Sequence, residues 1–193
     1  MITLKTFAPT AQVFAALQQF AVVVQTGSQL EVFNACAELA NNPLFAGKGW
    51  QANIAKFKNV IITGKAKYTV FAMGNSKLPF LSWSTLPVVT CPGAGECLNF
   101  CYSVTAWRYP AAFFRQCQNA FLTRFHKLEI VAQLDNVLNT RKMSKLAKVD
   151  FRLFVDGDFD SMHTLEFWLS VIQDRPKLNT YGYSKSFELF VEY

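Results

Sequence analysis

The run TAQVFAALQQFAVVVQ, residues 10–25, begins with Thr10 in position to cap a helix and predicts a buried helix that ends before Thr26, Gly27 and Ser28. A second helix follows. Ser28 and Glu31 stand at the capping-box spacing, and the helix they start runs to about Asn41, where Asn41, Asn42 and Pro43 stop it. Val32, Cys36, Leu39 and Ala40 share its apolar stripe, so Cys36 reads as a small core residue. Residues 59–75, NVIITGKAKYTVFAMGN, hold two β-rich runs around Gly64 and Lys65 and predict a hairpin or two adjacent strands. A loop over 76–87 then leads to the short apolar run VVT, 88–90, read as a strand directly before Cys91.

Pro110 suits a first helical turn, and residues 110–143 carry helical periodicity with a break near His126. Phe113, Cys117 and Phe121 fall on one stripe of that helix, which places Cys117 in the core. VDFRLFVDGD, 149–158, is a strand ending in an acidic turn; SMHTLEFWLSVIQD, 161–174, is a helix stopped by Pro176; LNTYGYS, 178–184, is another strand. From residue 88 onward the order is strand, helix, strand, helix, strand. Such alternation implies α/β architecture with parallel strands and right-handed crossovers, whose chemistry gathers in loops at the strand C-termini. Three features sit there: the cysteine loop after residue 90, DGDFDS at 156–161 and YGYSKS at 181–186. The 193 residues are expected to form one domain, with 1–84 a helical and hairpin extension and 85–193 an α/β core.

Composition narrows the class. Half the chain is hydrophobic (51%), with 19 phenylalanines, yet no apolar run reaches the roughly 20 residues of a membrane span. The N-terminus lacks the features of a signal peptide, so a cytoplasmic protein with no membrane partner is expected. The net charge of +6 lies within 108–148, where eight cations meet two anions. Residues 149–193 are net acidic. This asymmetry makes Arg141, Lys142 and Lys145 candidates for nucleic-acid contact, although a solvated helical surface gives the same count.

Three of the five cysteines, Cys91, Cys97 and Cys101, crowd into the loop CPGAGECLNFC, a poor disulfide framework in a chain this long. A [4Fe–4S] cluster is commonly held by thiolates of one loop, and Gly93 and Gly95 would let backbone amides approach the sulfurs. Structural zinc sites usually show paired Cys-x2-4-Cys units, whereas the spacings here are Cys-x5-Cys-x3-Cys; His126 or His163 could still supply a fourth zinc ligand. Simple packing of the thiols is the third reading. With three cysteines, one iron of a cluster would lack a protein thiolate and stand open to substrate or S-adenosylmethionine.

The run TCPGAGECLNFCYS, followed by RYP and Asn119, then FRLFVDGDFDS and YGYSKS, resembles the phage and plasmid Gene 88 protein family, a radical-SAM-like group, over roughly residues 85–190. Cys91, Pro92, Gly93, Cys97, Cys101 and Tyr102 fall on its cysteine motif, Gly157 and Asp158 on the acidic turn, and Tyr183, Ser184 and Lys185 on the last motif. The resemblance implies a partial (β/α) barrel-like parallel sheet carrying an iron–sulfur cluster, and a mobile-element origin. Its cysteine spacing departs from the Cys-x3-Cys-x2-Cys of ordinary radical-SAM enzymes, and DGDFD stands where a Gly-Gly-Glu stretch would hold the methionine amino group. Asp158 first, then Asp156 and Asp160, could pair with a cationic ligand group, or they could cap the helix near Ser161. Lys185 could hold a carboxylate or phosphate, or be a solvated lysine, and Tyr102 could cover the cluster or pack.

Two functions compete. One is a radical-SAM-like enzyme, in which the cluster and S-adenosylmethionine generate a radical that abstracts hydrogen from a substrate. The other is a non-catalytic nucleic-acid-binding or regulatory protein with a structural or redox-sensing cluster. A nicking reaction and serine or cysteine hydrolysis find no matching constellation. The sheet is expected to keep an open edge that a partner or second subunit could cover.

Overall fold

The computed structural model describes residues 10–74 and 80–193. Helix α1 (Ala11–Thr26) is capped by the Thr10 hydroxyl, and α2 (Gln29–Asn41) by the Ser28–Glu31 capping box. Both agree with the sequence reading. The next element does not. Residues 48–63 form helix α3 (Lys48–Thr63), so the expected first β-run at 59–63 is the last turn of a helix. Its buried residues Ile54, Phe57, Val60 and Ile61 keep helical spacing, and Gly64 ends it with φ 64°. A β-rich composition was overridden by this apolar face and its glycine stop.

An extended stretch then enters the sheet. β1 (Ala72–Met73) pairs antiparallel with β2 (Leu81–Ser82), which pairs parallel with β3 (Val149–Leu153), and β3 with β4 (Leu178–Gly182). The strand order is 1-2-3-4 in an open sheet. The strand expected at 88–90 is instead a turn, and the strand that precedes the cysteine loop lies earlier, in the segment read as loop. Main-chain bonds prolong its pairing beyond β2: Trp83 N donates to Arg152 O, Val155 N to Trp83 O and Thr85 N to Asp156 O, at 2.9–3.0 Å. Consequently residues 72–73 and 81–82 belong to the main sheet rather than to a separate N-terminal hairpin. Asn75 and residues 76–79 of those two expectations lie outside the described residues.

Between β2 and β3 run the cysteine loop, α4 (Pro110–Phe125), α5 (Lys127–Leu138) and the single turn α6 (Arg141–Ser144); α7 (Met162–Gln173) links β3 to β4, and α8 (Phe187–Glu192) follows. Pro110 opens α4 and His126 ends it, both as expected. The aromatic residues make two joined cores. Phe20 of α1, Phe57 of α3 and Phe114 of α4 pack with ring centroids 5.6–6.0 Å apart. Trp168 of α7 packs on Trp83 and Phe151 of the sheet at 4.9 Å and 5.7 Å. The edge-on pairs among them, Phe20–Phe57, Phe20–Phe114 and Trp83–Trp168, stabilise by about 0.5–1.5 kcal/mol each beyond the area they bury.

Helix α4 is the organiser. Its buried Gln118 accepts the Lys67 and Tyr68 amides (2.6 and 2.9 Å) and donates to Tyr68 O, while Asn119 donates to Val70 O and Ser84 O. Irregular backbone in a core leaves groups that must find partners. These two side chains supply them.

Candidate functional site

The chain leaves the β2 segment through Leu86 and Pro87 and turns at Val88, whose φ of 72° is an outlier for a β-branched residue. Strain of this sort gathers at functional loops. Cys91 follows, then Gly93 and Gly95, then two 3₁₀ turns, Gly95–Phe100, which carries Cys97, and Tyr102–Arg108, with Cys101 at the junction between them. All three thiols are free and half-buried, whereas Cys36 and Cys117 are free and fully buried, as their helical stripes predict.

The glycines also allow close packing and a left-handed turn. A Cβ on Gly93 would stand 2.0 Å from the Lys185 carbonyl oxygen, so the loop lies directly on the backbone after β4. Gly95 has φ 51° with nothing within 4 Å of its would-be Cβ, so it makes a left-handed turn. Gly157, φ 79°, brings the acidic turn against Thr85 and Thr90, where a Cβ would meet the two hydroxyl oxygens at 2.2 and 2.7 Å. The three loops expected at one pole of the sheet thus meet there.

Asp158 is buried and committed. Its Oδ1 accepts the Phe159 amide and its Oδ2 the Lys185 amide, each at 2.8 Å. Asp156, half-buried, accepts from Gln116 Nε2 at 3.0 Å, and Gln116 Oε1 accepts from Trp107 Nε1 at 2.9 Å. That chain ties the acidic turn to α4 and to the turn after Cys101. Asp160 accepts from Gln25 at the end of α1. None of the three caps α7, because Ser161 does so through Thr164 N. Lys185 contributes backbone to the site while its side chain is exposed, and Tyr102 is exposed as well. His126 packs against Phe121 and Gly64, and His163 is exposed in the first turn of α7.

Burial pushes the Cys91 thiol up to about 11, with Asp158 and Cys101 adding to the rise and the Val88 backbone and Thr90 hydroxyl opposing it. Cys91 is therefore protonated at neutral pH and no ready nucleophile. The donor set, three free thiols on one loop, suits a thiophilic metal or an iron–sulfur cluster. Among the described residues, however, no group of three or more His, Cys, Asp and Glu side chains is drawn together so as to hold a metal ion. The ligands are on one loop without forming a cage.

Two cavities adjoin the loops. One of about 350 Å³ is bordered by Val88, Leu98, Phe100 and Cys101 together with Phe14 and Gln18 of α1. The other, about 410 Å³, lies at the C-terminal ends of β3 and β4 and is walled by Phe154, Phe159, Tyr181, Tyr183, Phe187 and Phe190. Sequence reasoning missed the second cavity's ring wall; the aromatic spacing across 181–190 was its only trace. Arg141, Lys142 and Lys145 lie elsewhere, in and just after α6 at the N-terminal end of β3. No described helix is long and apolar enough to cross a membrane.

A family model described as Gene product 88 matches residues 51–193. The match begins upstream of the expected residue 85 and takes in most of α3 with β1 and β2, together with Lys67, Tyr68, Val70 and Ser84, whose backbone Gln118 and Asn119 stitch to α4. No curated protein and no solved structure matches the chain.

Proposed function

We propose that this chain, which belongs to the Gene product 88 family, is an iron–sulfur protein that holds a [4Fe–4S] cluster on Cys91, Cys97 and Cys101, and that it acts as a radical-SAM-like enzyme. The observation that carries the reading is the placement of three free thiols in a loop whose Gly93 rests on the Lys185 backbone at the C-terminal pole of the parallel strands. In α/β sheets that pole is where ligands bind.

Bound there, such a cluster would supply single electrons and an open iron position for S-adenosylmethionine. The chain's own residues do the rest. To hold a cluster, Cys97 and Cys101 would have to draw toward Cys91, since the three thiols share one loop without forming a cage among the described residues. Cys91 gives up its proton on ligation, so loading releases acid and strengthens as pH rises. Asp158 positions the last loop by holding its amide, and Asp156, whose carboxylate accepts only from Gln116 among the described residues, would be the one to pair with a cationic ligand group. The ring-walled cavity gives a small molecule an apolar seat beside the loop.

The test is anaerobic purification with iron and sulfide quantified, followed by electron paramagnetic resonance of the dithionite-reduced protein with and without S-adenosylmethionine, for wild type and Cys97→Ala. A Cys97-dependent cluster signal that changes with the cofactor is expected. A cluster indifferent to the cofactor overturns the enzyme reading and leaves a structural or redox role. Absence of iron after reconstitution overturns both.

A further inference from the structure

The basic segment 108–148 does not make one surface. Arg124 donates to Val24 O and Gly27 O, with Asp160 acting on it, and Lys127 reaches His163 O beside Asp160 and Glu166. These two half-buried cations are held by carbonyls of neighbouring helices. Arg108 and Arg115 sit before and on α4, and the other four cations are gathered at the opposite end of the strands from the thiols. Arg141, Lys142, Lys145 and Lys148 are all exposed on the stretch that leads from α6 into β3.

The fold adds a fifth cation from the acidic part of the chain. Lys177 Nζ donates to Met143 O and Ser144 O at 2.6 and 3.1 Å, and Lys148 Nζ donates to Pro176 O at 2.6 Å. Val149 N donates to Lys177 O at 2.9 Å, so the two segments are laced together. Each ammonium has three protons, and after these bonds one remains on Lys177 and two on Lys148. Carbonyl anchoring fixes their positions and lowers the entropy lost when an anion binds. Nearby acids are few: Asp135 is paired with Arg175 through both oxygens at 2.8 and 3.0 Å, Asp150 accepts from Asn179, and Asp174 is exposed.

We propose that Arg141, Lys142, Lys145, Lys148 and Lys177 form a docking surface for the phosphate backbone of duplex nucleic acid. Neither segment that builds it, 139–150 or 174–178, contains an aromatic residue on which an unpaired base could stack, which favours a duplex over a single strand. Leu146 is the one exposed large apolar side chain of these segments, too little to anchor the surface in a bilayer. Binding is governed by counterion release and carries no base preference of its own. The surface lies a strand length, about 15 Å at roughly 3.3 Å per residue, from the thiol loop and does not depend on the cluster.

Fluorescence anisotropy of a short labelled DNA duplex against salt concentration tests this, with or without iron in the protein. Replacing Arg141, Lys142 and Lys145 together by Gln should weaken binding roughly a hundredfold near 0.1 M salt and make the log–log salt slope about 3 units shallower. A control carrying Lys48→Gln, Lys56→Gln and Lys67→Gln has the same charge change and should keep the wild-type slope; melting curves confirm that both variants fold. Equal losses in the two variants, no duplex binding by wild type, or tighter binding to phosphatidylserine vesicles than to the duplex would each overturn the proposal.

Discussion

The Asp158 carboxylate accepts the Lys185 backbone amide at 2.8 Å across 27 residues of sequence, and so clips the loop after β4 to the acidic turn after β3. Its other oxygen is taken by the Phe159 amide. A buried carboxylate used in this way is part of the frame of the site, and a ligand's amino group would have to compete with two main-chain donors for it. Replacing Asp158 by Ala should lower unfolding stability by about 2–3 kcal/mol, and by Asn about half as much, because the amide keeps one acceptor. Urea denaturation of the three proteins measures this.

Gly93 and Gly95 are two residues apart but differ in what a methyl group would meet. Gly93→Ala drives a Cβ into the Lys185 carbonyl and should separate the cysteine loop from the loop after β4, seen as new protease cleavage in both segments. Gly95→Ala faces open space and should cost only the left-handed conformation, about 1–2 kcal/mol.

The two helical cysteines separate from the loop cysteines in the same iron assay. Cys36→Ala and Cys117→Ala should retain the wild-type iron and sulfide content while losing about 1 kcal/mol of stability each. Cys91→Ala and Cys101→Ala should lose the cluster. Iron loss in Cys117→Ala together with full retention in Cys91→Ala would reverse the assignment.

Cys36 also makes a pH prediction. Burial pushes its thiol from an ordinary 9.0 to about 12, against the pull of Lys58. The folded state therefore holds a proton that the unfolded chain releases first. This contribution to stability is complete below about pH 9 and is lost as pH rises from about 9 toward 12. The alkaline decline measured by urea denaturation should be shallower in Cys36→Ala than in wild type.

Gln118→Leu should be among the costlier single changes. It would strand the Lys67 and Tyr68 amides and the Tyr68 carbonyl inside the core, a loss of about 2–4 kcal/mol, whereas Gln173→Leu on the exposed end of α7 should change stability by less than about 0.5 kcal/mol.

Local signals were legible where they are self-contained. Thr10, the Ser28–Glu31 box, Pro110 and the break at His126 act within a turn or two of chain, and each was read correctly. Residues 59–63 and 81–85 were not. Ile61 and Ile62 are β-branched, but only the packing of α3 on α4 shows that 48–63 is one helical face. Leu81 to Thr85 look like loop until their hydrogen bonds with Arg152, Val155 and Asp156 are seen. Gln116, Gln118 and Asn119 carried a trace in the sequence, polar residues inside an apolar helix, yet their long-range partners lie 35–51 residues away.

Local sequence signals suffice for the α/β alternation, for separating the loop thiols from the helical ones, and for the acidic and tyrosine-rich turns at strand ends. Periodicity, caps and turn residues act over short range. Tertiary structure decided what those residues are used for. It committed Asp158 to backbone amides, set Gly93 against Lys185, tied Arg124 and Lys127 to neighbouring carbonyls and recruited Lys177 to the exposed cations around α6. Such roles depend on which distant groups are left unpaired or uncompensated when the chain closes up, and that accounting exists only in the folded molecule.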